Sequence, residues 1–384
     1  MNTAGKPKIA LITTTVLQVK FFLVPHLNAL AQHYDVTLIV KNDFPDILDS
    51  LQLPVKFHFV PIERAVSPKK DLATLWALFR FLRRQRFSLI HTVNPKAGLL
   101  GIVAAWFART PVRIHTFQGE IWANKTGLWR QILRGMDWLV GAAATHLTVV
   151  SESERQVLIR EGLITARKSC VLANGSIGGV NLELFTPRPS FRNTQRAALG
   201  YQDHDVVFTY LGRLTGDKGV LELRDAFSAL ASAHPHAQLL LIGPDEDNIV
   251  EQYQSLCHAH PGRVQFQPYT ATPHLALQAA DVLMLPSHRE GFGVVIIEAA
   301  ALGIPAIGSR IYGISDAMVD EQTGLMFTRG DVDELLNRME TLLNSEQRFR
   351  LGDQARKRVH RDFDQQQVVQ AFLTYYENVL GGQA

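Results

Sequence analysis

The densest run of residues able to do chemistry is Glu290-Gly-Phe-Gly-Val-Val-Ile-Ile-Glu298. The preceding segment, Asp281-Val-Leu-Met-Leu-Pro-Ser287, reads as a buried strand entering a turn, and Val294–Leu302 reads as a helix. That order places the amides of Gly291, Phe292 and Gly293 at a helix amino end, where an anionic phosphate is favoured. Glu298, about two turns along, is almost the only polar residue in its surroundings, so its charge needs a partner. Carboxylates so placed accept hydrogen bonds from vicinal hydroxyls, as when a ribose or hexose is held. The plainer alternative makes Glu290 a helix cap and Glu298 a solvent-facing side chain; the apolar neighbours of Glu298 argue against it.

A second loop, Tyr210-Leu-Gly-Arg-Leu-Thr-Gly-Asp-Lys-Gly219, ends one strand and begins a helix. Gly212 permits close backbone approach, and Arg213 and Lys218 can neutralise a diphosphate. Alone this is a weak signal, because surface Arg and Lys are usually just solvated. It is not a Walker A loop, which needs GxxxxGK[ST]. Asp245-Glu-Asp247 and Asp331-Val-Asp333 have the DxD shape of metal-using transferases, but such triplets are common and both read as solvated surface.

Positioning these loops requires strands, and the chain supplies them in regular alternation with helices. Lys8–Thr14, Val36–Val40, Lys56–Val60, Leu89–Thr92, Val112–Phe117 and His146–Val150 read as strands, with helical patterns at Phe22–Gln32, Leu72–Arg86, Lys96–Ala108 and Trp129–Ala142. After Thr186-Pro-Arg-Pro-Ser-Phe-Arg-Asn-Thr194, rich in turn formers, the alternation restarts with Val206–Leu211, Leu221–Ser232 and Gln238–Ile242. Strands at Val264–Phe266, Val282–Leu285, Ala306–Gly308 and Leu325–Phe327 follow. The expected organisation is an α/β domain over residues 1–186, a linker over 187–203, a second α/β domain over 204–364 and a C-terminal helix over 365–384 that packs back across the linker. Two doubly wound domains would place a ligand between them.

Asp281–Ser287 and Glu290–Pro305 together resemble the hallmark of glycosyltransferase family 4, retaining enzymes of the GT-B fold. Its pattern runs D-V-x-x-x-P-S-x-x-E-G-F-G-x-V-x-x-E-A-x-A-x-G-x-P. Gly212, Arg213, Lys218 and Gly219 match the family's phosphate loop, and Gly313 and Thr323-Gly324 match later glycine positions. The resemblance implies two Rossmann-like domains facing across a cleft, the first binding acceptor and the second a nucleotide-sugar donor. It implies that Arg213 and Lys218 bind the donor diphosphate, that Glu290 contacts the transferred sugar beside Gly291–Gly293, and that Glu298 binds the ribose. It also implies no cofactor and no metal.

The segment Arg113-Ile-His-Thr-Phe-Gln-Gly-Glu-Ile-Trp122 resembles the family's loop facing the donor sugar. Many members carry a His-Gly pair there; this chain has Gln118-Gly119, with His115 three positions earlier. His115 either faces the ligand as the catalytic histidine or is satisfied within its strand. The His-Thr-Phe-x-Gly run and Leu172–Val180 resemble enzymes of bacterial surface-polysaccharide assembly, which implies a glycan or lipid-linked glycan acceptor. Where the family often has a glycine pair after its first strand, Thr13-Thr-Thr-Val-Leu-Gln-Val-Lys20 stands instead, with Lys20 a candidate substitute for those contacts. His26 reads as packed.

Charge separates the halves. Residues 1–186 carry a balance of +10 and the remainder −7, within a total of +3. A basic first half suits an acidic acceptor or an anionic bilayer. Phe79-Arg-Phe-Leu-Arg-Arg-Gln-Arg-Phe87 mixes cations and apolar residues as an interfacial helix does, or packs on a sheet with its basic face solvated. No nucleic-acid motif accompanies the basic excess. Cys170 and Cys257 cannot form a disulfide framework, and no apolar run reaches the roughly 20 residues of a membrane span. A cytoplasmic protein, at most peripheral at the inner face of the membrane, is expected. Competing readings are a nucleotide-sugar epimerase, which would convert donor without acceptor, and a non-catalytic sugar-nucleotide binding protein. A dinucleotide oxidoreductase is disfavoured because no GxGxxG follows the first strand.

Overall fold

Apolar runs too short for a helix alternate with amphipathic segments along the chain, and nearly all of them become parallel strands. A computed structural model describes residues 5–63 and 66–382. The chain forms two compact units: Met1–Gly179 with Gln365–Ala384, and Val180–Asp364. Each is an α/β Rossmann-like domain built on one parallel sheet.

In the first unit the strands are β1 (Lys8–Ile12), β2 (Asp35–Val40), β3 (Lys56–Phe59), β4 (Leu89–Val93), β5 (Val112–Phe117), β6 (His146–Val149) and β7 (Ser169–Cys170). Their order is β3-β2-β1-β4-β5-β6-β7. In the second unit they are β8 (Val206–Leu211), β9 (Ala237–Ile242), β10 (Val264–Gln267), β11 (Val282–Leu285), β12 (Ala306–Ser309) and β13 (Gly324–Phe327), ordered β10-β9-β8-β11-β12-β13. β9 and β11 are buried along their whole length, which is why they read as unbroken apolar runs rather than alternating ones. Both sheets reverse direction beside their first strand, and ligands of such sheets bind at the carboxyl ends near that point.

Two expectations about segment boundaries need correction. The stretch read as a linker contains a helix, Pro189–Ala198, that belongs to the second unit. Pro189 suits a first helical position, and two arginines fasten the helix. Arg192 Nη2 and Arg196 Nη1 lie 2.5 and 2.8 Å from the two carboxylate oxygens of Asp281, which also accepts the Val207 amide at 2.8 Å. The loop read after β1 becomes helical at Val16, capped by Thr15, and runs through a π-turn at Val19–Leu23 into the helix Val24–His33.

The terminal helix, Gln365–Gly381, joins the first unit and buries Val368, Phe372, Leu373, Tyr376 and Val379 there. Phe79–Phe87 has an apolar face packed inward and a basic face exposed. Leu78, Leu82 and Phe87 enter the core while Arg80, Arg83, Arg84 and Arg86 stay exposed. No helix among the described residues is long and apolar enough to cross a membrane.

Three histidines are buried in this unit, His26 and His91 under the terminal helix and His115 under the helix that carries Gly98. His26 Nε2 donates to the Ile177 carbonyl at 2.7 Å, and His91 contacts Tyr376 Oη at 2.5 Å and Thr116 Oγ1 at 2.6 Å. His115 Nδ1 lies 2.8 Å from Thr92 Oγ1. Burial pushes their pKa values down, to about 4 for His26 and about 3 for His91 and His115. The unfolded chain takes up these protons near pH ~6.5 and the native one does not, so stability is full above that value and falls as pH drops toward about 4. Urea midpoints should therefore decline steadily between about pH 7 and 5; a flat profile would contradict the neutral, buried state of these rings.

Candidate functional site

Glu290 sits in the turn between β11 and the helix Val294–Ala301. Its Oε1 accepts from Ser287 Oγ at 2.8 Å and from Lys218 Nζ at 2.7 Å. The Lys218 and Glu290 side chains are only 16% and 17% exposed, so their attraction is stronger than that of a surface pair. Lysine has three donors, and among the described residues Lys218 engages one of them, with Glu290. Two residues singled out from separate loops thus meet.

Close backbone approach makes this meeting geometrically available. Gly219 has φ +66°, and a Cβ there would stand 1.9 Å from the Pro286 carbonyl oxygen. Gly313 has φ +80°, and its Cβ would lie 2.6 Å from the carbonyl oxygens of Glu290 and Gly291. Any side chain at either position would force the loops apart. Gly291, Phe292 and Gly293 lead into the helix amino end, with Gly293 at φ +73° as its cap. Phe292 is buried edge-on against Phe363, with ring centroids 5.4 Å apart.

Arg213 follows Gly212 at the carboxyl end of β8, and Gly212 N donates to the Ile242 carbonyl at 3.0 Å. The Arg213 guanidinium pairs through Nη1 with Glu246 Oε2 at 2.6 Å, and its carbonyl accepts from Tyr210 Oη. Asp247 Oδ2 accepts the Gly216 amide at 2.9 Å. The acidic triplet Asp245–Asp247 is exposed surface, as read, and also braces the loop that carries Arg213, while Asp245 accepts the Ile249 amide. The other triplet supplies a helix cap, Asp331 Oδ1 accepting from Glu334 N.

Further residues that sequence reading passed over tie the two loops together. Thr215 Oγ1 donates to Asp217 at 2.6 Å, and Arg289 stands 3.5 Å from the same carboxylate. Although burial opposes it, the Thr215 hydrogen bond and the charges of Lys218, Arg289 and Arg213 hold Asp217 below the usual carboxylate range. His288 N donates to the Asp217 carbonyl, and its ring meets Glu222 at 2.7 Å. Polar residues flanking a glycine-rich motif were the available signal for all of them.

Glu298 is the fifth residue of its helix, in the second turn rather than two turns along. It is half-buried and makes no hydrogen bond or ion pair among the described residues. Burial pushes its carboxyl up to about 8. A partly buried carboxylate without a partner costs stability unless a ligand supplies donors.

The remaining candidates lie in the first unit. His115 lies within β5, 2% exposed, under Gly98, whose Cβ would fall 2.4 Å from its ring. Of the two readings its place in the structure fits the packed one, the ring lying under a helix and bonded to Thr92. Gln118 Oε1 accepts from Gln18 Nε2 at 2.9 Å, while Gln118 Nε2 is buried with no hydrogen-bond partner. Gly119, at φ +90°, donates its amide to the buried Glu154 at 2.6 Å. Lys20 lies in the π-turn with its ammonium 5.7 Å from the Phe21 ring centroid. His26 is packed, as read.

The native state holds a proton on Glu298 that the unfolded chain releases above its ordinary value of 4.5. The stability tied to that proton is present below this value and lost as pH rises through about 8. Glu298→Gln should thus melt higher than the parent at about pH 8.5 and alike at about pH 4.5. Equal midpoints in the alkaline arm would show the carboxylate to be well solvated.

Two family models match this chain: glycosyl transferases group 1 over residues 191–358, and a glycosyl transferase 4-like domain over residues 26–175. It is 29% identical over 325 residues to the capsular polysaccharide biosynthesis glycosyltransferase CapM of Staphylococcus aureus, covering 84% of this chain and 85% of that one. It is 27% identical to the UDP-Gal:alpha-D-GlcNAc-diphosphoundecaprenol alpha-1,3-galactosyltransferase of Escherichia coli, covering 80% and 79%. Anabaena HepE, solved in complex with UDP and glucose, shares the fold at TM-score 0.81 and 19% identity, covering 97% of this chain and all of that one. With both halves matched in order and two Rossmann-like domains in place, the chain belongs to glycosyltransferase family 4, of the GT-B fold.

Proposed function

We propose that this protein transfers a sugar from a nucleoside diphosphate sugar to a hydroxyl of a lipid-linked glycan, with retention of anomeric configuration and without a metal. The observation that carries the reading is the Lys218–Glu290–Ser287 cluster at a helix amino end, one loop away from Arg213. Arg213 and Lys218 neutralise the donor diphosphate, assisted by the amides of Gly291–Gly293. Glu290, oriented by Ser287 and Lys218, accepts from hydroxyls of the transferred sugar. Glu298, lacking an internal partner, accepts from the ribose. Gln118, Gly119 and Lys20 belong to the acceptor and donor-sugar side; the Gln118 amide, held by Gln18, offers N–H donors to a sugar oxygen.

A carboxylate engaged by Lys218 and Ser287 is a poor nucleophile, which favours a front-face path over double displacement. The acceptor oxygen attacks the anomeric carbon on the face that the diphosphate leaves, and its proton passes to the departing phosphate oxygen. Positive charge at Arg213 and Lys218 stabilises that leaving group. Arg213→Ala and Lys218→Ala should each lower transfer by about 10²–10³-fold with melting nearly unchanged, measured with a nucleotide-sugar panel and a lipid-diphosphate acceptor. Near-normal turnover in both would sink the assignment, and an inverted product by NMR would sink retention.

The relatives in capsular polysaccharide and diphosphoundecaprenol chemistry support an acceptor anchored in a membrane. So does the surface of the first unit. Neighbouring helices Pro68–Gln85, Pro95–Phe107 and Gly127–Ala143 expose Leu72, Trp76, Trp106, Phe107, Leu128 and Trp129 beside the basic row Arg80–Arg86. Aromatics among cations suit the headgroup region of an anionic bilayer. Cosedimentation with anionic vesicles should exceed that with neutral ones and fall sharply in Trp76→Ser/Trp129→Ser. Equal recovery with both lipids would exclude this docking mode.

A further inference from the structure

The carboxyl ends of β8 and β9 carry the phosphate loop; their amino ends carry a different cluster. His204 and Asp205 immediately precede β8, and His236 immediately precedes β9. These strands are parallel neighbours with Val206 opposite Ala237, and Val206 N donates to the His236 carbonyl at 2.9 Å. Six residues of strand, about 20 Å at about 3.3 Å each, separate the cluster from Gly212 and Arg213.

The arrangement is that of a ligand set rather than of hydrogen-bonded partners. The Asp205 side chain is 7% exposed, and its Oδ2 is fixed by the Gln202 amide at 2.7 Å. Its Oδ1 lies 4.0 Å from His204 Nε2 and 3.9 Å from His236 Nδ1, beyond hydrogen-bond reach. The two imidazoles meet edge to face with centroids 4.3 Å apart, and the three ligand atoms all lie within 4.8 Å of one another. A tetrahedral ion with bonds of about 2.0–2.2 Å spaces its ligands about 3.4 Å apart. Both rings are largely exposed, at 62% and 60%, so the small inward swing meets little resistance.

We propose that His204, Asp205 and His236 form a two-histidine, one-carboxylate site for a borderline transition-metal ion such as Zn²⁺, completed by solvent. Imidazole nitrogen selects Zn²⁺, Co²⁺ or Ni²⁺ over Mg²⁺ and Ca²⁺, which take oxygen sets. The carboxylate already has its outer support: Gln202 holds Oδ2, and Arg196 Nη2 donates to the carbonyls of Gln202 and Asp205 at 2.7 and 2.9 Å. The role is structural. An ion here clips the turn before β8 to the turn before β9, fixing the entry of two central strands without touching the donor residues.

The test uses the full chain, stripped with chelator and titrated with ZnCl₂ alone. One saturable site is expected, with a rise in melting midpoint of about 5 °C at saturation and none with MgCl₂. His204→Ala and His236→Ala should match the parent when metal-free, since both rings are exposed, yet bind Zn²⁺ about tenfold or more weakly. Co²⁺ should give a visible absorption band with the parent that both variants lose. No saturable binding, or binding and spectra unaltered in the double variant, would overturn the proposal.

Discussion

A strand can lie parallel to its neighbour only after the chain has crossed back over the sheet, so consecutive strands all finish at the same edge. In the second unit that rule brings the ends of β8, β9 and β11 side by side. Gly212–Arg213, Gly243–Asp247 and Pro286–Glu290 emerge together. Everything polar about the site follows from this convergence. Lys218 meets Glu290 across 72 residues of sequence, and Arg213 meets Glu246 across 33. The Lys218–Glu290 pair is largely buried and so little screened, whereas the Arg213–Glu246 pair stands nearer to solvent.

The convergence also explains the acidic residues around a site read as basic. An unpaired Arg213 and Lys218 would repel each other and wander, each losing several rotamers' worth of entropy on ordering. Glu246, Asp247, Asp217 and Glu290 hold the loop in place through these bonds. Glu298 is the opposite case, a carboxyl that makes no hydrogen bond or ion pair among the described residues.

Much of this was legible from residue order. Fully apolar strands, glycines at loop entries and the Glu290–Glu298 spacing carry information locally, and they placed β5, β8 and β11 at their observed bounds. What was not legible depends on contacts distant in sequence. The segment 187–203 looked like a linker because its proline and polar residues suit turns; only Asp281, about ninety residues on, makes Arg192 and Arg196 into anchors. His115 was ambiguous because strand position does not say which helix lies overhead, and Gly98 decides it. The brace at Asp245–Asp247 was missed because a short acidic run looks the same whether it faces water or a neighbouring loop.

The terminal helix carries a consequence for how the protein is made. Unit one is interrupted: its chain leaves at Gly179 and returns at Gln365, and Tyr376 reaches His91 from 285 residues away. Unit two is continuous. During synthesis, Val180–Asp364 is complete while the first sheet still lacks the helix that covers His26 and His91. The half synthesised first is therefore the half finished last, and a nascent chain carries an uncovered apolar patch on its first sheet until residues beyond 365 have left the ribosome.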